Sequence, residues 1–221
     1  MMKKNYLKLI LFLVVVCCLT ACGGGAGKES VSAWSDLKSE GKLELKYADQ
    51  FSVEKFEGGY ALITIADQDR FLLVPEAAAV PEGLDENITV IKKPVTSTYL
   101  AASSAMDFYR QLGALDQVKM TSTDSSDWSF PEVQEALANE EMLYVGKYSA
   151  PDYETIIDEN CGLAIESTMI FHSPEIKEKL EEMGIPVMVE RSSYESHPLG
   201  RMEWIKLYGI LCDKEEEADA F

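Results

Sequence analysis

Apolar and polar positions alternate, or give way to short apolar runs, through residues 43–76. Side chains in a strand point alternately to opposite faces, so a period of two is typical of β-strands. Turn residues between the runs, such as Gly58-Gly59, favour tight connections. The pattern predicts a short antiparallel meander followed by a Pro-containing connector, together spanning residues 43–87. Its predicted strands are residues 43–47, 60–65 and 70–74.

From residue 88 onward the period changes, and short apolar runs alternate with segments of helical spacing. Residues 88–91 are predicted as a strand, and the clearest helix begins at Pro174 and ends before Gly184. Loops this short between strands and helices favour right-handed crossovers and a parallel sheet covered on both faces. We therefore predict an α/β fold, in which residues 88–199 form a three-layer lobe with a mostly parallel sheet.

The last segment, residues 200–221, is predicted as a helix that begins at Arg201. Its apolar positions recur at helical spacing, and neither a C-cap glycine nor a turn precedes Phe221. We interpret it as an incomplete bridging helix, the start of a connection to a second lobe that is absent from the chain.

The N-terminal residues combine three lysines with an apolar run, residues 9–19, that is too short to span a bilayer as a stable helix. These features are typical of an export signal. The segment Leu19-Thr20-Ala21-Cys22 resembles the bacterial lipobox, in which the cysteine is acylated. We predict a lipoprotein signal peptide at residues 1–21, lipidation of Cys22 and a tether over residues 22–42. The protein is then expected at the extracytoplasmic face of the cell membrane, held there only by its lipid.

Composition and charge narrow the classes of partner. The chain has 221 residues, with 20 Lys and Arg against 38 Asp and Glu, for a net charge of −18. A hydrophobic content of 47% is ordinary for a globular protein and argues against wholesale disorder. A surface this acidic repels phosphate backbones, so nucleic acid is not an expected partner.

Few residues carry reactive chemistry. An enzyme would need a nucleophile beside a base, and Cys161 with His172 or His197 is the pairing that the sequence offers. No nucleophile motif surrounds Cys161, so we predict that the protein is not an enzyme. With two histidines and no clustered His, Asp and Glu, a metal site formed by the protein alone is not expected. Cys161 and Cys212 are predicted to be free thiols, with a disulfide between them as the alternative.

Two stretches resemble the lipoprotein substrate-binding components of ABC importers for ferric siderophores, haem and cobalamin. One extends from the 88–91 strand to Gly113, and the other, residues 162–209, begins GLAIESTMIFHSP. The lipobox is a third point of resemblance. In that family two α/β lobes are joined by one long helix and hold the ligand between them. The resemblance implies that this chain contains the first lobe.

The resemblance also implies a ligand site, because ligands of such sheets bind beyond the carboxyl ends of the strands. Glu175 is the nearest match to a family glutamate that contacts the permease, and the alternative is a solvated glutamate at the start of a helix. Trp128 and Tyr148 lie near strand ends and are predicted from residue type as stacking walls for an anionic chelate. For Trp128 the alternative is packing under its own loop. The ligand residues that the resemblance implies are Thr96, Ser97, Tyr99, Glu166, Ser167, Thr168, Tyr194, Glu195 and His197.

The expected function is capture of an iron complex, either a ferric siderophore or haem, or of a corrinoid such as cobalamin. The sequence does not choose among these ligands. The protein is expected to act as a monomer and to deliver its ligand to an ABC permease. The alternatives are a lipid-anchored surface module that binds a protein partner, and a fragment without function.

Overall fold

The computed structural model describes residues 33–221. The predicted signal peptide, Cys22 and most of the predicted tether lie outside the described residues. Residues 33–221 form two five-stranded sheets, a two-stranded hairpin and six α-helices. None of the helices in this range is long and apolar enough to cross a membrane.

The first sheet is mostly antiparallel, and its strands lie side by side in chain order. The strands are β1 (Ser39–Lys42), β2 (Phe51–Phe56), β3 (Tyr60–Ile65), β4 (Asp69–Val74) and β5 (Ile88–Lys92). β1 to β4 pair in antiparallel fashion, and β5 is parallel to β4. An antiparallel meander is therefore present, and it contains two of the three predicted strands, residues 60–65 and 70–74, as β3 and β4.

Two strand predictions in this region are wrong. Residues 43–47 form no strand, because the N–H groups of Lys46 and Tyr47 bond to the carboxylate of Glu203 instead of to a neighbouring strand. The edge strand is β1, which lies within the predicted tether. Residues 88–91 belong to the first sheet and not to the parallel lobe. Ile88 and Ile91 are both buried, on opposite faces, and this pattern fits either sheet.

The second sheet is entirely parallel, with the order β12-β11-β6-β7-β8. Its strands are β6 (Thr98–Leu100), β7 (Val118–Thr121), β8 (Leu143–Tyr144), β11 (Leu163–Ser167) and β12 (Val187–Glu190). A small hairpin is formed by β9 (Gly146–Lys147) and β10 (Ala150–Pro151). The helices are α1 (Met106–Gln111), α2 (Pro131–Ala138), α3 (Tyr153–Asp158), α4 (Pro174–Glu182), α5 (Pro198–Cys212) and α6 (Glu215–Ala220).

Alternate residues of the parallel sheet face two different apolar layers. Leu100 and Ile165 lie in one core cluster with residues of α1, α2, α5 and the first sheet. Tyr99 and Ala164 lie in another with residues of α3 and α4. The lobe thus has three layers, and the first sheet packs outside its α5 side. This arrangement confirms the predicted fold class, and residues 33–221 lie within one compact unit.

The C-terminal helix differs from its prediction because it does not continue unbroken to Phe221. Helix α5 ends at Asp213, which adopts the left-handed conformation with φ 56°. α6 then folds back over Gly209, where an added Cβ would lie 2.6 Å from the Cβ of Ala218. The single continuous helix that was predicted is therefore two helices joined by a turn, and the absence of a side chain at Gly209 lets them approach closely.

Replacing Gly209 with alanine tests this contact. Gly209→Ala should lower the free energy of unfolding by about 1–3 kcal/mol, because the new methyl group overlaps Ala218. Adding Ala218→Gly should restore part of the loss by removing the overlapping atom. Urea unfolding of the two single variants and the double variant measures this coupling. Strictly additive effects would contradict the close approach.

Candidate functional site

The parallel sheet has a switch point between β6 and β11. The chain leaves β6 toward β7 on one side and later returns to β11 on the other. Open α/β sheets bind ligands in the crevice beyond the carboxyl ends of the strands at such a point. The segments that leave these ends are residues 101–105, 122–130, 168–172 and 191–197. We refer to this end of the parallel sheet as the carboxyl edge.

The structure places Thr96 and Ser97 away from the carboxyl edge. Both precede β6 and so lie at its amino end, where the Ser97 hydroxyl donates to the carbonyl of Glu159 at 2.8 Å. Tyr99 lies within β6 and is fully buried in the apolar layer beside α3 and α4. None of the three is positioned to contact a ligand at the carboxyl edge. Their prediction depended on residues 88–91 being the first parallel strand, which they are not.

The residues that do follow β6 include Ser103 and Ser104, which sequence reasoning missed. The Ser104 hydroxyl donates to Oε2 of Glu190 at 2.9 Å, and Oε1 of Glu190 accepts the N–H of Ser192 at 2.7 Å. Glu190 is buried at the end of β12. It therefore connects the loops that follow β6 and β12 across the end of β11. The signal in the sequence was a Ser-Ser pair separated from β6 by two residues. It was overlooked because residues 88–91, and not β6, were predicted as the first parallel strand.

Glu166 lies at the carboxyl end of β11, but its side chain is fully buried. Within residues 33–221 neither of its carboxyl oxygens has a hydrogen-bond partner. Burial raises the pKa of Glu166 to about 8, so the group is mainly neutral at pH 7. Burial, with Glu166 as the next cause, also raises the pKa of Tyr99. In this conformation Glu166 adds little negative charge to the carboxyl edge.

Three predicted ligand residues do come together there. The Ser167 hydroxyl accepts the N–H of Met169 and begins the turn that follows β11. Thr168 Oγ1 and the Tyr194 hydroxyl share a hydrogen bond of 2.9 Å. The guanidinium of Arg191 lies 4.9 Å from the centre of the Tyr194 ring. This cluster combines hydroxyl groups, an exposed aromatic face and a cation.

Glu195 and His197 follow Tyr194 in the chain, but the Glu195 carboxylate and Nδ1 of His197 already have hydrogen-bond partners. The Glu195 carboxylate accepts N–H groups from Asp49 at 2.8 Å and Gln50 at 3.2 Å, and the indole N–H of Trp204 at 2.6 Å. His197 Nδ1 accepts the N–H of Leu199 at 3.1 Å. Neutral His197 therefore carries its proton on Nε2, which is the opposite of what an Nε2 iron ligand requires.

The two predicted aromatic walls are not exposed at the carboxyl edge. Trp128 is buried, its indole N–H donates to the carbonyl of Thr123 at 3.2 Å, and its ring packs near Phe130. The alternative prediction, packing under its own loop, is the one observed. Tyr148 is half-buried in the β9–β10 hairpin against an apolar layer.

Glu175 is exposed in the first turn of α4.

Exposed apolar side chains of a large size are concentrated at the carboxyl edge. Six of them lie on its loops, on the start of α5 or on the 46–50 segment packed against them, and each is between 42% and 55% exposed. They are Tyr47, Met169, Phe171, Tyr194, Leu199 and Met202. A concentration of exposed large apolar side chains in neighbouring segments is a feature of binding surfaces. Sequence reasoning missed five of the six, because a loop position does not by itself show whether a side chain is covered.

The two cysteines are not arranged as a nucleophile beside a histidine base. Within residues 33–221, Cys161 and Cys212 are free, which agrees with the favoured prediction. Burial raises the pKa of Cys161 to about 11 and that of Cys212 to about 12, so neither is a thiolate at neutral pH. Cys161 precedes β11, and His172 follows it at the opposite end of the strand.

A separate cleft of about 400 Å³ lies between α2 and the turn before β7. Asp116, Glu132, Glu135 and Glu141 line it together with Lys119. It lies at the amino end of the parallel sheet, away from the carboxyl edge. Among the described residues, no group of three His, Cys, Asp or Glu side chains could hold a metal ion.

No family model matches the chain. A curated relative is an uncharacterized lipoprotein of Methanocaldococcus jannaschii, 28% identical over 204 residues. The match covers 84% of this chain and 48% of the relative. The chain therefore spans about half the length of the curated relative that it matches.

Several solved structures are similar over part of the fold. The petrobactin-binding protein YclQ of Bacillus subtilis is 16% identical with a TM-score of 0.44, covering 57% of this chain and 41% of that one. The haem-binding protein HutB of Vibrio cholerae is 19% identical with a TM-score of 0.45, covering 57% and 44%. The molybdate-binding protein MolA of Haemophilus influenzae is 13% identical with a TM-score of 0.49, covering 59% and 45%.

The buried carboxyl of Glu166 predicts an unusual pH dependence of stability. Its pKa is higher in the folded state than the ordinary 4.5, so the folded protein binds more protons between pH 4.5 and about 8. The free energy of unfolding should therefore fall as the pH rises through this range. Glu166→Gln, which stays neutral, should reduce the fall, as measured by urea unfolding at several pH values. Glu182→Gln, an exposed change on α4, is the control, and equal pH slopes for Glu166→Gln and wild type would contradict the assignment.

Proposed function

We propose that the protein is an extracytoplasmic substrate-binding lipoprotein that captures an iron complex or a corrinoid at the carboxyl edge. The observation that carries the proposal is the concentration of exposed apolar side chains at the carboxyl edge of a parallel sheet, near hydroxyl groups and a cation. Phe171 and Met169 supply apolar contacts. Thr168 and Tyr194 supply hydrogen bonds, and Arg191 supplies positive charge.

The chemistry of this surface suits the proposed ligands. Ferric siderophores and haem combine broad apolar or aromatic parts with negative charge, and Arg paired with aromatic rings is a common means of holding such groups. A mainly neutral Glu166 removes one charge that would repel an anion. The choice among siderophore, haem and cobalamin is left to experiment, and the orientation of His197 does not favour iron ligation by that residue.

Anchoring and delivery complete the proposal. The lipobox-like segment at Cys22 and the relative named as a lipoprotein support a lipid-anchored protein at the outer face of the membrane. The proposed partner is an ABC permease, and exposed Glu175 is the proposed contact. We further propose that the protein acts as a monomer and not as an enzyme.

A second candidate function is a surface module that binds a protein partner. The same exposed apolar side chains favour it, because protein interfaces are also centred on aromatic and Met side chains. The two candidates differ in whether a small ligand binds to the purified full chain.

The test is titration of the full chain with ferric siderophores, haem and cobalamin, followed by calorimetry and by the absorbance of each ligand. We expect one ligand class to bind, and Phe171→Ala to weaken it about tenfold through loss of a contact worth about 1.4 kcal/mol. Phe221→Ala is the matched control, since Phe221 is an equally exposed Phe on the C-terminal segment away from the carboxyl edge. Binding of none of the ligands, or equal weakening by both variants, would overturn the proposal.

A further inference from the structure

Five consecutive backbone N–H groups, those of residues 46–50, donate to two glutamate carboxylates. Glu203 accepts from Lys46, Tyr47 and Ala48, each with one bond of 2.8 Å. Glu195 accepts the next two, as described above. The two carboxylates therefore bind a continuous stretch of chain, which we name the strap (residues 46–50). The strap lies between β1 and β2 of the first sheet.

Side chains of the strap also contact the segment that leaves β12. The Ser196 hydroxyl donates to Oδ2 of Asp49 at 2.9 Å, and Nε of Arg191 donates to Oε1 of Gln50 at 3.2 Å. The ring of Tyr47 stacks on His197 with centroids 4.6 Å apart. The strap therefore lies against residues 191–197, which form one side of the carboxyl edge.

A glycine makes the close approach possible. A Cβ added at Gly200, in the first turn of α5, would lie 2.8 Å from the carbonyl oxygen of Tyr47. It would also lie 3.1 Å from Oε2 of Glu195. Alanine at this position would therefore displace the strap without removing either carboxylate.

Polar contacts, and not burial of apolar surface, hold the strap. No residue of the strap is fully buried, and Ala48 is the one that packs partly against the core. Burial raises the pKa of Glu203, but bonds from the N–H groups of the strap outweigh it and hold the pKa below its ordinary value. Segments with few apolar contacts open at a lower free energy than the core. The two carboxylates are thus the main restraint on this segment.

We propose that the strap opens and closes as one unit on residues 191–197, and that Glu195 and Glu203 together hold it closed. Opening breaks the two bonds from the strap to the Glu195 carboxylate, leaves the bond from the Trp204 indole in place, and removes Tyr47 from the face of the His197 ring. The carboxyl edge then has two states that differ in shape and in how far the Glu195 carboxylate is exposed.

Amide hydrogen exchange of the full chain tests the proposal. Glu203→Gln should accelerate exchange about tenfold or more at all five strap amides, because weakening a charge-assisted bond by about 1.4 kcal/mol corresponds to a factor of ten. Acceleration at Asp49 and Gln50, which do not bond to Glu203, is the sign of a single opening unit. Acceleration confined to residues 46–48, or none, would overturn it. Glu178→Gln, an exposed change on α4, is the matched control and should leave these rates unchanged.

Gly200→Ala is the second variant, and it keeps the experiment decisive if Glu203→Gln destabilises the whole protein. Alanine favours helix more than glycine does, so α5 itself is not weakened. Exchange should accelerate at the strap but not in β3 or β11. The NMR signals of His197 should also lose the ring-current shift from Tyr47, with His172 as the internal reference. Wild-type exchange of the strap amides in Gly200→Ala would overturn the proposal.

Discussion

Burial of helix α5 between the two sheets is the interaction on which the rest of the structure depends. The ring of Trp204 packs at a tilt against Phe51 of β2, with centroids 4.9 Å apart, and the ring of Tyr208 stacks on Phe108 of α1 at 5.1 Å. Removing this apolar surface from water joins the first sheet to the parallel lobe. Because α5 begins at the carboxyl edge, its fixed position also places Glu203 where it meets the strap.

Exposed carboxylates repel anions, so the environment of each glutamate sets the local charge of the carboxyl edge. Four glutamates lie at or near the carboxyl edge, in three different environments. Glu166 is buried with a raised pKa, and Glu190 is buried and hydrogen-bonded to Ser104 and the N–H of Ser192. Glu195 and Glu203 are occupied by backbone N–H groups. Asp124 and Asp127 stay exposed on the 122–130 segment, whereas the segments after β11 and β12 expose mainly aromatic, apolar, imidazole and hydroxyl groups.

Residue patterns predicted those parts of the fold in which local and tertiary preferences agree. Helix α4 begins at Pro174 and ends just before Gly184, as its sequence indicates. The site segments after β11 and β12 were also predicted, since each follows a continuous apolar strand. The strand predicted at residues 43–47 is not formed, because the N–H groups of Lys46 and Tyr47 bond to a side chain more than 150 residues away. Thr96 and Ser97 were predicted at the carboxyl end of a parallel strand, because residues 88–91 were assigned to the parallel sheet. They lie instead at the amino end of β6.

The sequence by itself determined the α/β class, the mostly parallel sheet and the segments that follow its later strands, because periodicity and turn residues act over short distances. The tertiary structure alone decided which sheet contains β5 and where helix α5 ends. It also decided which side chains at the carboxyl edge are exposed to solvent. Those outcomes depend on contacts between distant parts of the chain. No periodic signal in the sequence marks the close approach of α6 to Gly209 or the burial of Glu166. The same is true of the two carboxylates that hold the strap.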